Sequence, residues 1–278
     1  MKIGVIGTGS MGTILLESFI DAHVYRDHDF MMTNRSIEKA YELSEKLPMI
    51  EVVESSTNLV QHCDLIFVCV KPLQFPNLLR DLKDHLNSDQ ILISITSPIT
   101  VSQLEEMIPS KVARAIPSIL NRAMTGPSLL SFGERCKEAD RAFIYELMST
   151  ISKPLVIDES ITRVSSDIVS CGPAFMSYLL QQFIDGATRQ TQISKEDATT
   201  LTTNMIIGLG KLLEKGFYTL PTLQERVCVP GGITGEGIKV LEQEVDYMFD
   251  HLFQQTHAKY YEDQELISNL MNEHTRKR

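Results

Sequence analysis

The chain has 278 residues, 43% hydrophobic and 22% charged, enough for two ordinary globular domains, and no stretch approaches the roughly 20 apolar residues that a membrane span needs. A formal charge of −10, from 26 Lys and Arg against 36 Asp and Glu, argues against nucleic-acid binding, because a phosphate backbone is repelled over most of such a surface. Five scattered cysteines (Cys63, Cys69, Cys136, Cys171, Cys228) form no C-x-x-C pair, which excludes a zinc ribbon and a disulfide framework; with a first strand that begins at once, leaving no expected signal peptide, this predicts a cytoplasmic protein without a metal.

Lys2 to Ile6 reads as a buried strand, and Gly7-Thr8-Gly9-Ser10-Met11-Gly12 follows it directly, opening an amphipathic stretch with Ile14, Leu15 and Phe19. Strand, tight turn and helix in that order are the context a dinucleotide-binding glycine motif requires. Gly7 permits the turn, Gly9 lets backbone approach a pyrophosphate, and Gly12 lets the helix pack on the strand. Amides from Thr8, Ser10 and Met11 then face the phosphates at the positive end of the helix. The alternative is a glycine turn that binds nothing.

A second strand, Phe30 to Thr33, ends at Asn34-Arg35-Ser36. An acidic residue here would hold the free 2′-hydroxyl of NAD. None is present, and Arg35 between two small polar residues suits a 2′-phosphate, so NADPH is expected in preference to NADH. Ser36 also reads as the N-cap of a helix from Ile37, with Arg35 solvated, and both readings can hold. Further strands follow at 51–53 and 64–70, the latter ending at Val70-Lys71-Pro72 on the carboxyl edge where such sheets bind ligands. Lys71 there faces either the cofactor or solvent.

A helix carrying Leu78, Leu79, Leu82 and Leu86 leads to a strand at 90–95 and a second rim loop, Thr96-Ser97-Pro98-Ile99. Strands at 111–116, 128–131 and 154–157, with a helix from about Lys137 to Thr150, complete the alternation. The predicted fold class is α/β: a Rossmann-type, mostly parallel sheet with helices on both faces, over residues 1–159.

From residue 160 strands vanish and long helices are expected at 174–189, 195–215 and 237–257. The segment Ala198 to Leu213 holds Leu201, Met205, Ile206, Leu209, Leu212 and Leu213, too much apolar surface for a lone helix. Such helices pack on each other or on another subunit; an intertwined homodimer is expected, a self-contained bundle being the alternative. The polar tail from Asn272 is expected to fray. Seven histidines show no ligand spacing.

Two glycine turns narrow the reading: Cys171-Gly172-Pro173-Ala174-Phe175 and Val229-Pro230-Gly231-Gly232-Ile233-Thr234. With Gly7-x-Gly9-x-x-Gly12, Asn34-Arg35-Ser36, Val70-Lys71-Pro72 and Arg114-x-Ile116-Pro117, their order and spacing resemble pyrroline-5-carboxylate reductase over essentially the whole chain. The resemblance implies a C-terminal all-α dimerisation domain (160–278), assembly of dimers into a larger ring as in the family, and NADPH-dependent reduction of 1-pyrroline-5-carboxylate to L-proline. It also implies that Ser97 belongs to the cofactor site and that Ser118, Gly172, Pro173, Gly231, Gly232, Ile233 and Thr234 face the substrate. Thr234 would hydrogen-bond the imine nitrogen, or serve only as a helix N-cap. Amides around Gly231, Gly232 and Gly235 would form a nest for the substrate carboxylate.

Departures from that pattern matter. Where the family usually reads Ser-Gly-Ser-Gly-Pro-Ala, this chain has Val169-Ser170-Cys171-Gly172-Pro173-Ala174. Where it reads Ser-Pro-Gly-Gly-Thr-Thr, Val229 and Ile233 replace hydroxyl groups, and Pro117-Ser118-Ile119 stands for Pro-Asn-Thr. Each hydrogen bond lost to a charged group is worth roughly 1.5 to 3 kcal/mol, so two weaken binding by something like a hundredfold to ten-thousandfold. The stretches Ile95 to Ile99 and Ile116 to Ile119 resemble the divergent branch of the family typified by the late competence protein ComER. Two expectations therefore stand: a reductase of pyrroline-5-carboxylate or a related cyclic imine, and an NADP-binding regulatory protein on the same fold. A β-hydroxyacid dehydrogenase is weaker, since Lys195, Lys211 and Lys215 lie in no catalytic motif.

Overall fold

A computed structural model describes residues 1–26 and 28–275. One eight-stranded sheet dominates its first part, in the order β3-β2-β1-β4-β5-β6-β7-β8. The strands are β1 (Lys2–Ile6), β2 (Asp29–Thr33), β3 (Ile50–Val52), β4 (Leu65–Val68), β5 (Ile91–Ser94), β6 (Lys111–Ile116), β7 (Pro127–Phe132) and β8 (Lys153–Val156). All pairings are parallel except β6 with β7. Every strand expected from sequence is present, within a residue or two of its expected ends.

Alternation along the strands explains the layers. Side chains one apart point to opposite faces, so Ile3, Val5, Phe30, Met32, Leu65, Phe67, Ile91 and Ile93 enter one core, while Ile6, Met31, Ile66, Val68 and Leu92 enter another. The first core is closed by α1 (Ser10–Asp21), α2 (Ile37–Lys46) and, after the intervening helices, α6 (Glu138–Ser149). The second is closed by α3 (Ser56–His62), α4 (Phe75–Leu82) and α5 (Val101–Met107). Helices α3 and α5 went unread in the sequence, although each starts at a good cap. Ser55 accepts from the Asn58 amide at 3.1 Å, and Thr100 with Gln103 forms a reciprocal capping box.

Past β8 lie α7 (Thr162–Ser166), a π-helical turn at Asp167–Cys171, α8 (Gly172–Gln190), α9 (Lys195–Glu214), α10 (Leu220–Val227), α11 (Ile233–Val245) and α12 (Met248–Thr275). The single helix expected at 237–257 is two helices, because the chain leaves helical geometry at Asp246 (φ −1°, ψ −98°). Of the tail expected to fray, residues up to Thr275 continue α12, and residues 276–278 lie outside the described residues.

The chain forms two compact units. One comprises Met1–Pro173 and the segment from Thr256 onward; the other is Ala174–Gln255. The second unit is all helical, and among its described residues only Ile184, Ala198 and Thr202 are buried. Phe183, Leu201, Met205 and Ile207 on α8 and α9 stand exposed.

The last turns of α12 belong to the sheet unit. Ile267 is 1% exposed and packs in the same core as Val68, Leu92 and Val112, with Met271 a turn further on. Ile267→Ala should cost the sheet unit about 2–5 kcal/mol by leaving a cavity. Urea unfolding measures it, and a loss below about 1 kcal/mol would mean that α12 does not share that core.

Candidate functional site

The strand order reverses direction between β1 and β4, and in an open parallel sheet the crevice beyond those two carboxyl ends is where a ligand binds. The chain leaves β1 at Gly7, whose φ of +101° belongs to the left-handed region and whose Cβ, were there one, would lie 2.6 Å from the Cys69 carbonyl oxygen at the end of β4. A Cβ on Gly12 would collide with the Gly7 carbonyl oxygen. Internal packing thus accounts for two glycines of the motif. It does not account for Gly9, where an added Cβ meets nothing within 4 Å.

Gly9 caps α1 and, having no side chain, leaves the first-turn amides without a side-chain acceptor. Beside it, Thr8 Oγ1 is buried with no hydrogen-bond partner among the described residues. Asn34 ties this loop to the next: its Oδ1 accepts from the Thr8 amide at 3.4 Å, and its Nδ2 donates to the Ser36 carbonyl at 3.0 Å. Ser36 is the N-cap of α2, as expected, yet its hydroxyl makes no capping bond.

A cleft of about 670 Å³ opens over this edge and is walled by Gly7, Gly9, Asn34, Arg35, Ser36, Val70 and Lys71, so most of the cofactor residues read from the sequence do come together. Three cations line it (Arg35, Lys39, Lys71) against two acids (Glu54, Asp81), a positive balance on a chain of charge −10. Lys39 was missed, as were Ser55, Gln74 and Asn77. Its only signal was a second cation four residues after Arg35, on the first turn of α2. Cys69 forms part of the wall; burial pushes its thiol up to about 12, so it stays protonated and acts as a neutral surface. A cleft of this size, with an open glycine, an orphaned hydroxyl, uncapped helix amides and exposed cations, fits a dinucleotide with a 2′-phosphate.

Not every expected residue lines that cleft. Thr8, Ser10, Met11 and Gly12 lie in the loop and first turn behind it, Gly12 being spent on packing, and Pro72 starts a short 3-10 turn. Ser97 lies beyond the end of β5, its carbonyl accepting from Arg114 Nη1 at 3.2 Å. Arg114 is 1% exposed and reaches Glu159 at 2.8 Å and Thr162 Oγ1 at 2.7 Å. Burial lowers its pKa while Glu159 works in the opposite direction.

Ser118 is fully buried, and its hydroxyl donates to the Val169 carbonyl at 2.7 Å, while Ser170 donates to the Pro117 carbonyl at 2.8 Å. These two bonds hold the π-helical turn that precedes Gly172 and Pro173, the first residues of α8. Ser118 therefore has its hydroxyl committed to backbone rather than open to a ligand.

In the helical unit, Gly231 takes a φ of +73° and the Gly232 amide closes a turn on the Val229 carbonyl at 2.9 Å. Gly232, not Thr234, is the N-cap of α11; Thr234 is the second residue of the helix, with an exposed side chain. The Gly232 amide is thus engaged, and the first-turn amides from Ile233 to Gly235 are what this turn offers an anion. Ile233 is 93% exposed, although it is apolar.

Comparison with known proteins agrees with this division. Residues 2–98 match the family model described as NADP oxidoreductase, coenzyme F420-dependent, and residues 159–263 match that described as pyrroline-5-carboxylate reductase dimerisation. ComE operon protein 4 of Bacillus subtilis is 56% identical over 263 residues, covering 95% of this chain and 96% of that one. Pyrroline-5-carboxylate reductase 3 of the same organism is 29% identical over 275 residues, 99% of both chains. Among solved structures, 1-pyrroline-5-carboxylate reductase from Streptococcus pyogenes superposes with a TM-score of 0.82 at 20% identity, over 94% of this chain and 98% of that one. The Plasmodium falciparum pyrroline carboxylate reductase, with NADP bound, gives 0.79 at 22% identity over 98% of each. With its sheet half and its helical half matched in order along nearly the whole length, the chain belongs to the pyrroline-5-carboxylate reductase family.

Proposed function

We propose that this protein binds NADPH and reduces 1-pyrroline-5-carboxylate, or a related cyclic imine, to L-proline or the corresponding amine, acting in the cytoplasm as a homodimer. The observation that carries the reading is the cleft beyond β1 and β4, where an unfilled glycine faces a cation-lined wall. Bound NADPH supplies the hydride that the imine carbon receives. Arg35 and Lys39 hold the 2′-phosphate, and the amides at the start of α1 take the pyrophosphate. The exposed first turn of α11 offers amides to the substrate carboxylate, and the Thr234 hydroxyl accepts the N–H of the protonated imine, favouring the state that takes hydride. Holding both rings in register is the main catalytic effect such a site needs, worth about 7 to 11 kcal/mol. The unburied apolar side chains of α8 and α9 support the dimer, since a monomer rarely leaves so many exposed on adjacent helices.

A second reading is an NADP-binding regulatory protein with little proline-forming activity. It is favoured by the apolar, exposed Val229 and Ile233 where donors are expected, and by the 56% identity to ComE operon protein 4.

Three outcomes are expected. Purified protein should oxidise NADPH saturably when 1-pyrroline-5-carboxylate is added. NADPH binding without turnover above a no-enzyme control would reject the reductase and favour the regulator, in which case Val229→Ser with Ile233→Thr should raise activity. Arg35→Ala should weaken NADPH by roughly tenfold to a hundredfold while sparing NADH, as loss of a bond to a charged group requires; equal weakening of both, or of neither, would remove the phosphate contact. Gly9→Ala should leave stability within about 1 kcal/mol, because the added methyl meets no protein atom, yet weaken NADPH at least tenfold by calorimetry. Unchanged affinity would mean that nothing approaches that backbone.

A further inference from the structure

The rim loop after β5 is held from a distant part of the sequence. Helix α12 enters the sheet unit at Thr256 and presents Thr256, Tyr260, Gln264 and Ile267 at helical spacing, one above another on a single face. Tyr260 donates its phenol to the Ser97 carbonyl at 3.2 Å, the same oxygen that Arg114 Nη1 reaches. Gln264 Nε2 donates to the Tyr260 oxygen at 3.1 Å. Burial pushes the phenol up, so it keeps the proton that it donates.

The other end of Ser97 is held by the same assembly. Arg163 Nη1 reaches the Ser97 hydroxyl at 3.4 Å, and its guanidinium lies over the Tyr260 ring, 5.6 Å from the centroid. Asp167, with no exposed side-chain surface, fixes that guanidinium through two bonds, at 2.8 and 3.2 Å. Thr256 donates to the same carboxylate at 2.8 Å, and His257 Nε2 lies 3.9 Å away. Ile267, further along the same face of α12, is buried in the core.

Such an arrangement exceeds what a surface loop needs to stay folded. Ser97 follows β5, next to β4 and on the side away from β2. A dinucleotide lying across the carboxyl edge with its adenosine over β2, where Arg35 stands, directs its nicotinamide toward β4 and β5. We propose that Tyr260 is a positioning residue for the nicotinamide half of the cofactor: by holding the Ser97 carbonyl it sets the height of the rim against which that ring rests. The inference rests on the NADPH reading above and extends it to a helix outside the nucleotide-binding motifs. Tyr260 touches neither substrate nor cofactor in this role; it acts through Ser97.

The test uses two ligands on the full chain. NADPH probes both halves of the site, and adenosine 2′,5′-bisphosphate probes the adenosine half alone. Tyr260→Phe keeps the ring under Arg163 and removes both bonds of the hydroxyl, the one donated to the Ser97 carbonyl and the one accepted from Gln264. It should weaken NADPH by about two- to tenfold, with a fall in the fluorescence anisotropy of the bound nicotinamide, and leave bisphosphate affinity unchanged. Arg35→Ala should weaken both ligands. If Tyr260→Phe leaves both affinities unchanged, or weakens both equally, the positioning role is overturned while the nucleotide site stands. If the unmodified chain binds neither ligand, the nucleotide reading fails and this inference falls with it.

Discussion

The first turn of α1 lies so close to the end of β1 that no side chain fits between them: the space a Cβ on Gly12 would need is filled by the Gly7 carbonyl oxygen. That backbone contact fixes where the helix begins, and the direction of its uncapped amides follows from it. Parallel pairing of β1 with both β2 and β4 then brings the loops after all three strands to one edge. The cleft, its cations and the open face of Gly9 are consequences of this packing. An acidic protein needs such local construction to hold a polyanion, because its overall field works against one.

Away from the cleft, the same edge is stiffened by buried polar groups. Arg114 would be very costly in the interior if unpaired, and it is met by Glu159, Thr162 and two backbone carbonyls. Arg163 and Asp167 form a second pair, tied to α12 through Thr256. Such networks are directional, so they specify one loop position where an apolar contact would tolerate several. Ser118 belongs to this scaffold, since its hydroxyl holds the π-helical turn before α8.

The two units differ in what their side chains offer. The sheet unit carries Gly7, Gly9, Asn34 and Arg35 on the wall of one cleft, a set that fits a phosphorylated dinucleotide. In the helical unit, Val229 and Ile233 expose apolar surface beside a turn of the right backbone shape. A backbone nest survives side-chain replacement because its donors are amides, whereas hydroxyl contacts do not. Apolar side chains at positions 229 and 233 therefore leave the amides of that turn in place.

Periodicity in the sequence determined the strands, their alternation with helices and the change to an all-helical second part, because burial on two sheet faces imposes a period of two and an amphipathic helix a period near 3.6. The glycine motif and Arg35 marked the nucleotide edge, since backbone geometry and charge are local properties of short segments. Helices α3 and α5 were legible only through their caps, which short polar segments imitate. What tertiary structure alone decided was which residues meet across long separations. Lys39 reached the cleft wall, the Ser118 hydroxyl turned inward to Val169, and Tyr260 crossed 163 positions to the Ser97 carbonyl. No local pattern encodes such a pairing: a hydrogen bond between distant segments depends on where the whole sheet carries each end.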